Sequence, residues 1–258
     1  MKTLSKIYIL LICSVVINFA NQENEQIANA KNLIKSGILQ WQEVKFHQAA
    51  ALCERVFQEN ENPYAKYYQT RSQSMILQMA MVSRDEEKFN NFFETAVENA
   101  KSLLDNKDLQ SEAEVLLAHI YMSKLSITPN DAPVLSGKIH SHLDKALEIN
   151  TENPRALIIK ATMLFYTPKM FGGDPQKAIN LFEKAKLLLA KPVQNKISPN
   201  WGYCDLMATL ATAYLSSGEL EKAKKVCEET MIKEPEFGRV KFSILPAIEK
   251  KMKESETK

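Results

Sequence analysis

The sequence predicts an all-α protein: a right-handed α-solenoid of about five helix pairs with a C-terminal capping helix. Three observations carry that expectation. Only 7 of 258 residues are Gly, against roughly 7% in an average soluble chain, which argues against tight hairpins and glycine-rich phosphate loops. Small or apolar residues recur at i, i+4 and i+7 in five separate stretches, the spacing of one helical face. Those stretches start at residues 49, 89, 139, 178 and 223, a period that suits stacked helical repeats.

In chain order, the first element is a targeting segment. Lys2 and Lys6 form a short basic start, Ile7 to Ala20 runs apolar, and the polar NQENEQ follows. This is the three-part plan of a secretory signal peptide, so residues 1–20 are expected to be removed and 21–258 to form the mature domain. The apolar run is short for a membrane span, which needs about 20 residues; the rival is an uncleaved anchor, the only route by which the chain would meet a membrane. Ile12 before Cys13 departs from the small residue that precedes a lipid-attachment Cys.

The full chain has 33 Lys and Arg against 31 acids, and loss of Lys2 and Lys6 makes the mature chain neutral. A neutral chain is a poor partner for nucleic acid or anionic lipid. Cleavage leaves Cys53, Cys204 and Cys227, an odd and widely spaced set without a CxxC pair, so buried free thiols are expected. A Cys204–Cys227 disulfide is the rival. The chain has no Asn-x-Ser/Thr sequon, which suits a bacterial exported protein, periplasmic or secreted.

The five stripes are Ala49, Cys53, Val56; Phe89, Phe93, Ala96; Ile139, Leu143, Ala146; Ala178, Phe182, Ala185; and Ala223, Cys227, Thr230. Each is the buried face of the second helix of a pair. First helices precede them, clearest in Met207, Leu210, Ala211, Tyr214 and Gly218, where Ala211 allows close approach and Gly218 can end the helix at positive φ. The expected helices are 25–42, 45–60, 63–83, 85–105, 108–126, 136–150, 153–166, 175–190, 200–217 and 219–233, with a cap near 235–253. Exposed Lys250, Lys251, Lys253 and Glu254 suit a solvent-facing cap. Inserted loops are expected at Ile127–Gly137, Thr167–Pro175 and Lys191–Asn200.

This pattern resembles the tetratricopeptide repeat (TPR). In the last repeat Leu210, Ala211, Tyr214, Gly218, Ala223 and Pro235 match the family pattern, while Cys227 and Thr230 replace its usual Phe and Ala. The third repeat offers Leu117, Ala118, Tyr121 and Ala146, and the fourth Ala161, Leu164, Ala178, Phe182 and Ala185. The first, with Gly37 and Ala49, is weaker and the second weakest. Around FYTPKMFGGDPQKAINLFEKA the chain is also similar to the T component associated with TRAP transporters, in which an aromatic residue and two glycines lead into a helix.

Catalytic motifs are absent from the sequence: no HExxH, GxSxG, Walker A or paired-Cys motif occurs. His140 and His142 point to different faces of one helix, and His119, between Ala118 and Ile120, reads as a packing histidine. No catalytic residue, metal ligand or cofactor is therefore expected. Asp174 and Pro175 read as a helix cap rather than a phosphate site. Met75, Met79, Met81 and Met122 read as core. The candidate binding residues are Phe165, Tyr166, Phe171, Trp201 and Tyr203, which would line a concave groove or pore, with solenoid core as their alternative role. The expected function is an exported, non-enzymatic scaffold for a protein or peptide partner; the alternative is a transport accessory that holds a small ligand.

Overall fold

A computed structural model describes residues 22–256, and the expected signal segment lies outside them. Among the described residues the chain is all α. Helix α1 covers 22–40, followed by α2 (Glu43–Asn60), α3 (Pro63–Ser83), α4 (Glu86–Lys101), α5 (Gln110–Ile127), α6 (Ala132–Ile149), α7 (Pro154–Tyr166), α8 (Pro175–Leu189), α9 (Tyr203–Ser217), α10 (Leu220–Lys233) and α11 (Leu245–Glu256). They pack as five consecutive pairs, with α11 against α10 as the cap. No helix among the described residues is long and apolar enough to cross a membrane.

Local chemistry sets most helix starts. Asn62-Pro63, Asn153-Pro154 and Asp174-Pro175 share one device: the Asn or Asp side chain accepts a backbone N–H of the first turn and Pro occupies that turn. Pro lacks an N–H that would be unpaired there anyway, and it keeps the residue before it out of the helix. Gly218, at φ +81°, ends α9 as its N–H donates to the Leu215 carbonyl and the Glu219 N–H to that of Tyr214.

Packing follows the stripes. Fourteen of their fifteen residues are buried, and Phe93 is half-buried against the same core. Gly37 of α1 faces the Phe46 ring of α2, closer than any Cβ would allow, so the first pair approaches at a glycine contact. One apolar core runs through the first six helices and a second through α7–α11; Ile38 and Leu147 pack against both.

One expected loop is corrected. Of Ile127–Gly137, only Thr128–Asp131 leaves the α-helical path, and α6 begins at Ala132. Pro133 lies in the first turn of α6, where proline starts a helix rather than breaking one. The length of this repeat comes instead from 18-residue α5 and α6 and the turns at 102–109. The loops at 167–174 and 190–202 are present as expected. The cap also differs from a regular helix: Val240–Ile244 widens into a π-helix just before Pro246, which has no N–H to bond back and whose ring crowds the preceding turn.

The three cysteines among the described residues are free thiols, with Cys53 and Cys227 buried in their stripes. Burial pushes their pKa values up to about 12 and about 11, so both are protonated, unreactive packing groups.

The solenoid curls until its ends meet. Lys35 of α1 pairs with Glu234 after α10 at 2.7 Å, Ile38 and Leu39 pack against the second core, and the Leu39 carbonyl lies beside Gly238. The inner first helices α3 and α5 are consequently buried all round over most of their length. Every residue of α3 from Tyr67 to Leu77 is buried, as is every residue of α5 from Ser111 to Tyr121.

Two glycines give opposite expectations for substitution by Ala. A Cβ at Gly173 would stand 1.7 Å from the Thr167 carbonyl oxygen, whereas one at Gly137 meets nothing within 4 Å. Gly173→Ala should lower stability by about 2–3 kcal/mol, and Gly137→Ala, inside exposed α6, should raise it by about 0.5–1 kcal/mol. Urea unfolding of the two variants checks both signs.

Candidate functional site

The closed interior holds a polar cluster that the stripe pattern does not reveal. Glu112 of α5 accepts two hydrogen bonds from Arg155 of α7, Nε at 2.7 Å and Nη2 at 2.6 Å. It also accepts Asn153 Nδ2 at 2.8 Å and the Tyr67 hydroxyl at 2.9 Å. Four donors thus satisfy one buried carboxylate. Burial alone would lower the Arg155 pKa, but the Glu112 charge and its paired hydrogen bonds outweigh it and hold the guanidinium above its ordinary value. Burial drives Tyr67 and Tyr68 well above theirs.

Trp201 joins this cluster from the loop before α9. Its indole Nε1 donates to the Tyr67 hydroxyl at 2.6 Å. Its ring lies beneath the Arg71 guanidinium at 3.8 Å, with Arg155 at 5.9 Å. Arg71 is fully buried; Nη1 reaches Ser74 Oγ at 3.2 Å and Nη2 stands 3.7 Å from Asp205, while Nε and Nη2 make no hydrogen bond. Burial lowers its pKa, so the indole face compensates part of the charge.

His119 lies beside the same group, its Nδ1 3.5 Å from Arg71 Nη1. Burial first, then the Arg71 charge, push its pKa down to about 3. It is a neutral packing histidine, as the sequence suggests. Among the described residues no cluster of His, Cys, Asp and Glu has metal-site geometry.

The loop itself is held mainly through its backbone. Tyr68 Oη donates to the Ile197 and Ser198 carbonyls at 3.0 and 3.1 Å. Lys31 Nζ donates to the Lys196 and Ser198 carbonyls at 2.5 and 2.8 Å; burial, then the Arg155 charge, bring its pKa down to about 8. Ile197 is buried in the first core, and Lys196 pairs with Glu25.

The five candidate binding residues fall into two groups. Trp201 and Tyr203 sit by Arg155 at the start of α7, since Gly202 between them packs against Arg155 and Ile158. Phe165 and Tyr166 are ten or more residues further along α7, about 15 Å at a helical rise of 1.5 Å per residue. Trp201 and Tyr203 are half-buried, with Lys233 Nζ 3.9 Å over the Tyr203 ring. Phe165 is half-buried and stacks edge-on with Tyr166 at 4.8 Å. Tyr166, Met170 and Phe171 are 59, 82 and 72% exposed.

That exposed trio surrounds a rigid turn. Phe171 and Gly173 N–H groups donate to the Pro168 carbonyl, Gly172 to Lys169 and Asp174 to Leu164. Asp174 then caps α8 through the Lys177 N–H. Sequence reasoning found this turn and its aromatic residues but missed Met170, Arg71, Glu112 and Arg155. The run Gln69–Ser74 was the one available signal: six polar residues that lie on every face of a helix cannot all be solvated if that helix is internal.

No known family profile matches the sequence, and no curated protein sequence matches it. Several solved structures are similar, two of which bear on the fold. The HusA haemophore from Porphyromonas gingivalis shares 24% identity with a TM-score of 0.59, over 76% of this chain and 93% of that one. TTC0263, a thermophilic TPR protein of Thermus thermophilus, shares 18% identity with a TM-score of 0.56, over 85% of this chain and 98% of that one.

Two predictions test the cluster. Arg155→Met should cost about 3–5 kcal/mol by stranding Glu112, and adding Glu112→Leu should recover most of that loss; a double-mutant cycle in urea measures it. For His119 the folded pKa, about 3, lies below its ordinary 6.5, so on acidification the unfolded chain takes the proton first. Its contribution to stability is complete above pH 6.5 and falls away toward pH 3. The His119→Gln variant should show a flatter stability profile across that window than the parent chain. Taken together, the stacked pairs, the buried stripes and these structural likenesses identify the fold as a TPR-like α-helical solenoid.

Proposed function

We propose that this chain is an exported, non-enzymatic helical-repeat scaffold that binds a protein partner in the bacterial cell envelope, with the α7–α8 turn as its apolar anchor. One observation carries the reading: Met170 and Phe171 are 82 and 72% exposed on a turn closed by backbone hydrogen bonds. Large apolar side chains presented on a backbone already held in place spare the cost of ordering that backbone on binding, and such anchors dominate interface energetics. Exposed Lys169 and Lys177 border the turn and supply a polar rim. The amino-terminal pattern of residues 1–20 supports export, and sequencing of the mature chain should begin near Asn21.

The anchor is tested by photocrosslinking from position 171 in the native envelope. A reproducible polypeptide adduct is expected, and the doubly substituted Met170→Ala/Phe171→Ala chain should lose at least about tenfold of its capture in a pull-down while keeping the parent melting temperature. Equal capture by both chains would remove the turn from the interface.

A second reading is a small flat ligand. It is favoured by the likeness to a protein described as a haemophore, which spans 93% of that chain, and by the aromatic and thioether side chains of Tyr166, Phe171 and Met170, which suit the face of a planar ring. Haemin titration decides it. A saturable Soret shift that weakens in the Met170→Ala/Phe171→Ala chain supports the ligand reading, and its absence leaves the protein partner.

A further inference from the structure

We propose that the inner face of the solenoid is a peptide-recognition groove occupied by the chain's own residues 196–201, and that a partner segment of the same chemistry competes for it. That chemistry is a backbone turn, closed here by the Ser198 N–H on the Asn195 carbonyl and by the Ile197 and Ser198 N–H groups on Asn195 Oδ1, with a branched aliphatic side chain four residues before a Trp. The site is distinct from the α7–α8 turn and does not depend on it.

The geometry of the loop is the argument. Residues 191–196 are exposed, Ile197 is buried, Ser198, Pro199 and Trp201 are half-buried, and Asn200 returns to solvent. Its contacts are to α1, α3, α5 and α7, each the first helix of its pair, and so to the concave side of the stack. The groove grips it as it would a separate peptide. Tyr68 and Lys31 donate to three backbone carbonyls, which are contacts blind to side-chain identity. Two side chains then supply selectivity: Ile197 in the apolar core and Trp201 against the Arg71 guanidinium, with that of Arg155 further off at 5.9 Å. Glu25 adds a preference for a basic residue before the aliphatic one, as it pairs with Lys196.

The occupant is also incompletely paired. Trp201 is only half-buried, and the Arg71 group it covers keeps Nε and Nη2 without hydrogen bonds. A partner segment carrying a carbonyl or carboxylate beside its Trp would satisfy donors that the chain's own segment leaves open. The segment is tethered at both ends, at Leu189 of α8 and Tyr203 of α9, so its local concentration is high and it suppresses weak competitors.

The test uses the full mature chain, its Trp201→Ala variant, and a fluorescent peptide of residues 191–203. Removing the tethered Trp frees the slot, so the variant should bind the peptide about tenfold more tightly than the parent chain, as expected when the competent fraction rises. A peptide with its own Trp replaced by Ala should bind neither. Equal peptide affinity for both chains, or no binding by a folded variant, overturns the proposal. If Trp201→Ala fails to fold, amide exchange of the parent chain decides: residues 196–201 should exchange well before the flanking α3 and α5, and exchange only with global unfolding would make the segment fixed core.

Discussion

The buried Glu112 carboxylate is the constraint on which the interior depends. A charge removed from water costs several kcal/mol unless it is paired and its remaining lone pairs are filled. Here the donors come from α3, α7 and the turn before α7. Meeting that requirement fixes the relative positions of three repeats, beyond what sliding apolar surfaces could specify. The loop from α8 to α9 is drawn into the same network, because Tyr67 both donates to Glu112 and accepts the Trp201 indole.

Closure of the solenoid follows from the same arithmetic. A superhelix with an open concave face can leave polar side chains in its inner helices, where water solvates them. In this chain α1 meets the last repeat and the α8–α9 loop fills the inside, so the polar run Gln69–Ser74 is buried and must find partners within the protein. Thr70, Ser72 and Ser74 turn back to carbonyls of their own helix, and Arg71 lies on an indole face. The inner surface thus trades solvent for internal hydrogen bonds and cation–π contacts.

Two inserted loops meet different fates for a physical reason. The α8–α9 loop carries Ile197 and Trp201 at a spacing that reaches an apolar pocket and a charged slot at once, so it folds inward. The α7–α8 loop is shorter, and its backbone bonds close it upon Pro168 and Leu164, leaving Met170 and Phe171 no route to the core. Its rigidity and exposure are two results of one tight turn built around Gly173.

The pattern of residues by itself determined the helices and their outward burial. Stripes spaced four and three apart, Asn-Pro and Asp-Pro starts, and Gly218 at a helix end act through local geometry, which a sequence displays directly. The α6 start escaped because Pro133 serves equally as a loop residue or as a first-turn residue, and only the neighbouring helix decides between them. The aromatic candidates were legible as individual residues, yet their division between a buried slot and an exposed turn was not, since most of the length of α7 separates them. Nothing in the sequence separates Glu112, Arg71 and Arg155 from surface charge, the ordinary state of such residues. Only the meeting of the solenoid's two ends and the inward fold of the α8–α9 loop put them inside, because burial of a charge depends on what surrounds it and not on its neighbours in the chain.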